Sequence, residues 1–563
     1  MTTMTMKSSL EIAQEATLRP VMDIAKEIGL EEDEVDLYGR YKAKISLSAI
    51  DRLSGAPDAK IVCVSAITPT KAGEGKTTTS VSLTQGLGHI GKRPVLCLRE
   101  PSLGPIFGIK GGAAGGGLTQ VVPMEDLNLH FTGDFHAIAA ANNMLAAFID
   151  RHLFYGNERN IDPHRVTWRR SVDMNDRHLR NIITGLGGPT HGIPRETGFD
   201  IVAASEIMAI MGMATSLQDL RKRVGRITVG YDVDGKPVYA EEMGCAGAMT
   251  VLLKDALKPN LIQTLEGQPC FMHIGPFGNI AHGNSSIVAD LVGRKVGDYV
   301  VTEAGFGSDL GMQKFMDIVC RAGGFAPSAV VIVATAKALK HHAGLEDDPR
   351  NSESENLKAI ETGSANLARH IQNVKHFGLP CVVAANRFPG DTDAEVALVQ
   401  KLGIEHGAHA AVLNEGFSKG GAGAAEMAEA VADACEQPNT FAFTFDDSDP
   451  IDVKIEKIAT RVYQADGVDF LPAARQKIEQ YTRDGLGNLS ICMAKSHLSL
   501  SADPALVNAP TGFRIPVRDV RPYTGAGFLT PLCGDIMQMP GLGKTPAGFN
   551  VDIDEDGRTV GLF

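Results

Sequence analysis

Residues 60–98, KIVCVSAITPTKAGEGKTTTSVSLTQGLGHIGKRPVLCL, decide the fold of this 563-residue chain. They open with an apolar run of strand length, Ile61–Ile67, which ends in the turn-forming pair Thr68-Pro69. A loop with two glycines, Thr70–Gly75, follows, and the pattern of Thr79–His89 predicts a helix. The order strand, loop, helix predicts an α/β fold built on a phosphate-binding loop.

The loop contains the residue types that phosphate binding requires. Gly73 and Gly75 allow the backbone to turn its N–H groups toward an anion, and the helix N-terminus adds a partial positive charge. Lys76 is placed to reach the β- and γ-phosphates of ATP, and the Thr77 hydroxyl is placed to ligate Mg²⁺. Thr70 stands where the common motif has Gly, so the loop is similar to variant forms with an extra early lysine. The alternative is a glycine turn followed by Lys-Thr by chance. The predicted ATP-binding residues are Thr70, Lys71, Ala72, Gly73, Glu74, Gly75, Lys76 and Thr77.

Composition narrows the class of protein. The length predicts two to four domains, and 54 basic against 67 acidic residues give a net charge of −13 without any long block of like charge. That balance disfavours nucleic acid as a partner. The nine cysteines are scattered without a CxxC pair, which predicts reduced, buried thiols. The N-terminus has no apolar signal region and no apolar run reaches 18 residues, so we expect a cytoplasmic protein without a membrane partner.

Polar residues follow several other predicted strands. Arg99 and Glu100 come directly after the apolar run Pro94–Leu98. Ligands of open α/β sheets sit outside the carboxyl ends of the strands, so both side chains are expected beside the phosphate loop. The arginine is suited to bidentate binding of a carboxylate or an acyl phosphate, and the alternative is a buried structural Arg–Glu pair.

Two later strands, Cys381–Ala385 and Ala410–Leu413, are followed by Phe388 and Phe417. From the sequence alone, such aromatics are core caps or ligand platforms. The small-residue loop 111–117 is either a flexible hinge or a surface on which a ligand rests. Residues 8–50 are predicted to be helical, and the charged segment 168–181 is predicted to be a solvated or interface helix.

Long motifs along the chain resemble the formate–tetrahydrofolate ligase family. They include TPTKAGEGKTTT, LREPSLGP, IKGGAAGGG, NLHFTGDFHA, TLEGQPCFMHIGPFGNIAHG and VTEAGFGSDLG, and the likeness extends from about Leu10 to the C-terminal DEDGRTVGLF. The resemblance implies ATP-dependent ligation of formate to tetrahydrofolate through formyl phosphate, giving 10-formyltetrahydrofolate, ADP and phosphate. It also implies a Rossmann-like parallel-sheet domain with the P-loop, two smaller α/β domains and a homotetramer.

The same resemblance assigns roles to residues. Lys76 and Arg99 are the implied catalytic residues, with Arg99 on formate and formyl phosphate. Glu100 and Asp134 match positions associated with an activating monovalent cation, K⁺ or NH₄⁺, and Thr77 remains the residue for Mg²⁺. Phe388 and Phe417 match the pair that stacks on the pterin ring. The expected domains are residues 1–105 with 198–365 for ATP, residues 106–197, and residues 366–563 with the folate loops.

Five positions depart from the pattern that the family usually shows. Phe417 replaces a usual Trp, Lys337 a usual Arg, Ala343 and Ile274 usual glycines, and Lys71 a usual Pro. They leave two alternatives to the ligase: a relative that transfers the formyl group to an altered acceptor, and an ATPase that switches partner binding. Formate dependence of ATP turnover and titration with folate distinguish the three.

Overall fold

The computed structural model describes residues 7–70, 73–110, 114–344 and 354–562. Its centre is a mixed sheet in which seven neighbouring strands are parallel, and the phosphate-loop strand Lys60–Ala66 lies among them. This confirms the predicted α/β class and the parallel sheet. In spatial order the parallel strands are Pro269–Met272, Pro94–Leu98, Tyr299–Glu303, Lys60–Ala66, Ala329–Ala334, Cys381–Asn386 and Ala410–Asn414.

Antiparallel strands extend the sheet on one side. Asn260–Thr264 pairs with Pro269–Met272 and with two short strands, Ala43–Ile45 and Thr119–Val122. Val35–Leu37 forms the outer edge. Residues 8–50 are therefore only partly helical, with helices Ser9–Glu15, Val21–Glu27 and Ser48–Arg52. The prediction of a helical segment was wrong for Val35–Leu37 and Ala43–Ile45, which are strands. Three-residue strands are too short to show an alternating pattern in the sequence.

Both faces of the central sheet are covered, as the continuous apolar runs require. Ile61 and Cys63 belong to one hydrophobic core, whereas Val62 and Val64 belong to the core on the other face. A third core lies in the C-terminal part of the chain and includes Ile455, Tyr463 and Val517. The main helices are Lys76–His89, Asp134–Phe154, Glu206–Met213, Leu217–Gly225, Ala246–Leu253, Ile287–Val296, Ala336–His342, Leu357–His376, Asp393–Glu405, Ala425–Ala434, Ile451–Arg461 and Pro472–Arg483.

Small sheets surround this centre. They pair Ile161–Val166 with Thr228–Asp232 and Pro237–Tyr239, Arg170–Val172 with Phe199–Ile201, Ile182–Thr184 with Arg195–Thr197, Val468–Phe470 with Ile515–Val517, Ser490–Ile491 with Phe528–Leu532 and Asp519–Tyr523, and Asp552–Ile553 with Thr559–Val560. The helix predicted over 168–181 was wrong: Arg170–Val172 is a strand because the distant Phe199–Ile201 pairs with it.

The central sheet contains strands from all three predicted domains, since Thr119–Val122 and Cys381–Asn386 both belong to it. The domain boundaries stay a prediction. No helix in the described ranges is long and apolar enough to cross a membrane.

Candidate active site

The predicted site residues gather at one edge of the sheet because parallel strands end on the same side. The strand Pro94–Leu98 leads into Arg99 and Glu100, and the phosphate-loop strand leads through Thr70 to the helix Lys76–His89. The two folate-loop strands end beside them, since Asn386 and Asn414 are register partners at the same edge.

The phosphate loop has the backbone that its glycines predict. Gly73 and Gly75 have φ of +76° and +74°, and Gly75 is the residue just before the helix that begins at Lys76. A Cβ atom on Gly75 would lie 3.0 Å from the Asn386 amide nitrogen, so conformation and space both favour glycine there. The first N–H groups of a helix have no partner within it, which leaves them for an anion. Lys71 and Ala72 lie outside the described residues.

Glu74 takes part in two hydrogen bonds that hold the phosphate loop. Its Oε1 accepts a hydrogen bond from the Thr70 backbone N–H at 2.8 Å, and the Asn386 amide donates to the Glu74 carbonyl at 2.9 Å. Burial raises the pKa of Glu74, against the influence of nearby Lys76. One oxygen of the side chain therefore helps to hold the loop in place.

Arg99 lies at the end of its strand with its guanidinium only partly satisfied. Its Nη1 donates to the Pro276 carbonyl at 3.2 Å, and its Nη2 lies 3.5 Å from Oε1 of Glu303. Its buried Nε has no hydrogen-bond partner within the described residues. A guanidinium held by one edge keeps donors available for a planar anion.

Glu303 connects Arg99 with the phosphate loop, and the sequence analysis did not identify it. It ends the strand Tyr299–Glu303, which lies between the strand that precedes Arg99 and the phosphate-loop strand. Its Oε2 accepts a hydrogen bond from the Thr77 hydroxyl at 2.6 Å. The available signal was a carboxylate at the end of the strand-length run YVVTE, at the start of the motif VTEAGFGSDLG.

Glu100, the residue after Arg99, forms an acidic pair with Asp134. Burial raises the pKa of Glu100 well above its usual range, and Asp134 raises it further. Asp134 begins the helix Asp134–Phe154; Lys44 Nζ lies 2.7 Å from its Oδ1, and Asn260 donates to its Oδ2 at 2.8 Å. A lysine thus neutralises Asp134, whereas Oε2 of Glu100 has no hydrogen-bond partner among the residues described.

The two predicted stacking residues lie against the glycine loops. The Phe388 ring is 3.8 Å from where a Cβ atom of Gly75 would lie, and the Phe417 ring is 2.9 Å from that of Gly116. Phe417 lies in the short helix Gly416–Lys419 and is 43% exposed. Of the glycine-rich loop, residues 111–113 lie outside the described part, while Gly115 lines the same cavity as the phosphate loop.

A cavity of about 380 Å³ is lined by the described part of the phosphate loop, Arg99, Glu100 and Glu303, whereas the predicted site residues Asp134, Phe388 and Phe417 are not among its lining residues. Phe306, which sequence reasoning also missed, lines it at φ +62° and stacks on His497 with ring centroids 4.4 Å apart. No group of three His, Cys, Asp or Glu side chains that could hold a metal occurs among the described residues. The lining includes Gly73, Glu74, Gly75, Lys76, Thr77, Arg99, Glu100, Gly115, Gly275, Phe277, Glu303 and Phe306.

The departures from the family pattern have different surroundings. Ile274 is buried and has φ +46°, a left-handed conformation, whereas Ala343 has φ −70°. Lys337 is exposed.

His342 supports the phosphate loop from the neighbouring helix. It is buried and contacts the Thr68 carbonyl at 2.9 Å, and burial lowers its pKa to about 4, so the ring is neutral.

Comparison with known proteins shows the family of the chain. The family model of formate–tetrahydrofolate ligase matches residues 7–563. A formate–tetrahydrofolate ligase from Desulforamulus reducens is 57% identical over 562 residues, covering 99% of both chains. Those from Saccharopolyspora erythraea and Symbiobacterium thermophilum are 53% and 52% identical, and each match covers 99% of this chain and 100% of the relative.

Proposed function

The chain belongs to the formate–tetrahydrofolate ligase family, and we propose that its reaction is carried out at the sheet edge by Lys76, Arg99 and the loops around them. The enzyme ligates formate to tetrahydrofolate with ATP. The matches support neither of the two alternatives, an altered acceptor or a partner-switching ATPase. The observation that carries the assignment of residues is the common cavity of Lys76, Thr77 and Arg99.

The first step activates formate. A formate oxygen attacks the γ-phosphorus of ATP, the bond to the β-phosphate oxygen breaks, and formyl phosphate and ADP form. Arg99 binds the carboxylate bidentately and orients it, while Lys76 and the helix N-terminus stabilise the negative charge of the phosphates. The Thr77 hydroxyl is the proposed protein ligand of Mg²⁺, which when bound supplies charge neutralisation of the phosphates. Two oxygen groups, Thr77 and Glu303, meet at this point and suit a hard cation.

The second step transfers the formyl group. N10 of tetrahydrofolate attacks the carbonyl carbon, and phosphate leaves with the electrons of the C–O bond. Phe388 and Phe417 are the proposed surfaces for the pterin ring, since Phe388 lies against Gly75 of the phosphate loop and Phe417 against Gly116 of the glycine-rich loop. A stacked aromatic pair contributes about 0.5–1.5 kcal/mol beyond its buried area, so replacing the family's usual Trp by Phe417 weakens folate binding modestly.

The proposed monovalent cation would be held at Glu100. Its unpartnered Oε2 is an available ligand, whereas Lys44 already compensates Asp134. Because burial and Asp134 raise the pKa of Glu100, K⁺ binding there would favour the ionised form and release a proton.

The homotetramer and the cytoplasmic location are also part of the proposal. Large apolar side chains are exposed around one surface cavity at the end of helix Asp134–Phe154, and such patches suit contacts between subunits. Phe154 and Ile193 line this cavity, and Tyr155, Ile183 and Leu186 are exposed next to its lining residues in the chain. All nine cysteines are buried and unbridged, as suits a reducing compartment.

Product formation tests the proposal. Purified protein is mixed with MgATP, formate, K⁺ and tetrahydrofolate, and acid converts the product to methenyltetrahydrofolate, which is read by absorbance. Arg99→Ala is expected to lower kcat/KM for formate at least about 100-fold while the variant remains folded. Arg93→Ala is the matched control, because Arg93 precedes the same strand at its opposite end and is exposed. ATP turnover that is indifferent to formate would refute the assignment.

A further inference from the structure

One carboxylate connects the two halves of the proposed site. Oε2 of Glu303 accepts the hydrogen bond of Thr77 at 2.6 Å, and Oε1 lies 3.5 Å from Nη2 of Arg99. The Glu303 side chain is only 8% exposed, so water does little to compensate its charge. The strand order explains the meeting: Glu303 lies between the two strands that lead to Thr77 and Arg99.

The two contacts differ in quality. The Thr77 hydrogen bond is short, whereas the ion pair with Arg99 is longer than a direct hydrogen bond. Arg99 Nε has no hydrogen-bond partner in the described part of the chain, so its guanidinium is not fully held by the protein. Formate carries the same negative charge as Glu303, so the two anions compete for the charge of the one guanidinium that Glu303 already faces.

We infer that Glu303 couples the Mg²⁺ and formate subsites: it holds Arg99 in the absence of the metal and turns toward the metal shell when Mg²⁺·nucleotide binds. This inference rests on the proposed function, in which Thr77 faces Mg²⁺ and Arg99 binds formate. A metal-bound Thr77 hydroxyl still has its proton to donate, and Mg²⁺ retains waters that a carboxylate can accept from. Arg99 then becomes available, and formate binds after the nucleotide.

Thermodynamic linkage makes the proposed coupling between Mg²⁺ and formate binding measurable. If Mg²⁺ strengthens formate binding by a given factor, formate must strengthen Mg²⁺ binding by the same factor. Allosteric coupling between two sites typically amounts to about 5- to 150-fold. Direct attraction between Mg²⁺ and formate contributes to this factor without Glu303, so the share of Glu303 is the part lost when its charge is removed.

The experiment measures binding, not turnover. Calorimetry gives the apparent Mg²⁺ affinity of the ADP-saturated enzyme, with and without saturating formate. Glu303→Gln keeps the shape and an acceptor for Thr77, and it is expected to lower the coupling factor at least fivefold. Glu303→Asp, which keeps the charge, should restore part of the factor. Asp298→Asn removes an exposed carboxylate just before the same strand and should leave the factor unchanged.

Two outcomes are decisive. An unchanged factor in Glu303→Gln overturns the inference; a fivefold loss confined to that variant supports it. If Glu303→Gln does not fold, Glu303→Ala, which also removes the charge and leaves Thr77 in place, is measured under the same criterion. Arg99→Ala separates the premises: formate binding that does not need Arg99 contradicts the proposed function itself, whereas Arg99-dependent binding with unaltered coupling contradicts only the role of Glu303.

Discussion

The left-handed backbone at Ile274 gives a sharp test of how the loop behind Arg99 is held. Ile274 has φ +46° and is fully buried, although β-branched residues are strongly disfavoured there. Its carbonyl accepts the Glu100 N–H at 2.8 Å, and Pro276 two residues later accepts from Arg99. The strained segment therefore fixes the position of both functional residues.

The perturbation compares Ile274→Ala with Ile274→Gly. Truncation to Ala removes a buried side chain and costs about 2–5 kcal/mol of unfolding free energy. Going on from Ala to Gly usually costs a further ~0.5–1 kcal/mol through backbone entropy. At φ +46° the Ala variant retains a conformational penalty of roughly 1–2 kcal/mol that Gly does not have. The Gly variant is thus expected to equal the Ala variant in stability or to exceed it by up to roughly 1.5 kcal/mol, whereas the usual order places Gly below Ala.

The assay is urea unfolding of both variants, followed by one fluorescence probe and compared by midpoint. Ala343→Gly is the matched control, because the family usually has Gly there too but φ is −70° in this chain. That variant should lose about 0.5–1 kcal/mol relative to the parent. The reasoning is refuted if Ile274→Gly proves less stable than Ile274→Ala by the amount that Ala343→Gly loses.

Three further predictions concern other residues. Phe417→Trp should lower KM for tetrahydrofolate a few-fold in steady-state assays, since the larger ring adds stacking area; a raised KM would contradict its place against the pterin. Lys44→Met should lower the free energy of unfolding by about 3–5 kcal/mol in urea titrations because it leaves Asp134 buried without its cation, and Asp134→Asn in the same chain should recover most of the loss. Burial raises the pKa of Glu206 to about 8, so its contribution to stability is present below pH 4.5, the pKa region of an exposed Glu, and is lost as pH rises to 8. The thermal midpoint of the parent should therefore fall relative to Glu206→Gln between pH 5 and 8, and parallel curves would exclude the titration.

Buried parallel strands were the most predictable part of the fold. Pro94–Leu98 has the bounds that its apolar run predicts, and Cys381–Asn386 and Ala410–Asn414 each extend one residue beyond theirs, because strands covered on both faces need no polar alternation. The short strand Arg170–Val172 was not predictable from its own composition. Two distant partners hold it: the strand Phe199–Ile201, and Asn143, which accepts the Ser171 N–H. Neither partner can be identified from the local sequence.

The site residues also differ in how well the sequence predicts them. Arg99 could be identified because a charged residue directly after a buried strand must lie at the ligand edge of a parallel sheet. Glu303 satisfies that rule equally well, yet its importance depends on which two strands flank it, and strand order is not written in any single stretch of sequence. Lys44 is further removed, since its strand is three residues long and its partner Asp134 lies in another element. The motifs thus contain Arg99 and Glu303 alike, but only the assembled sheet shows that Glu303 lies beside Arg99 and Thr77 and that Lys44 lies beside Asp134. Testing Glu303 and Lys44 beside Arg99 therefore examines contacts of this enzyme that its motifs do not show.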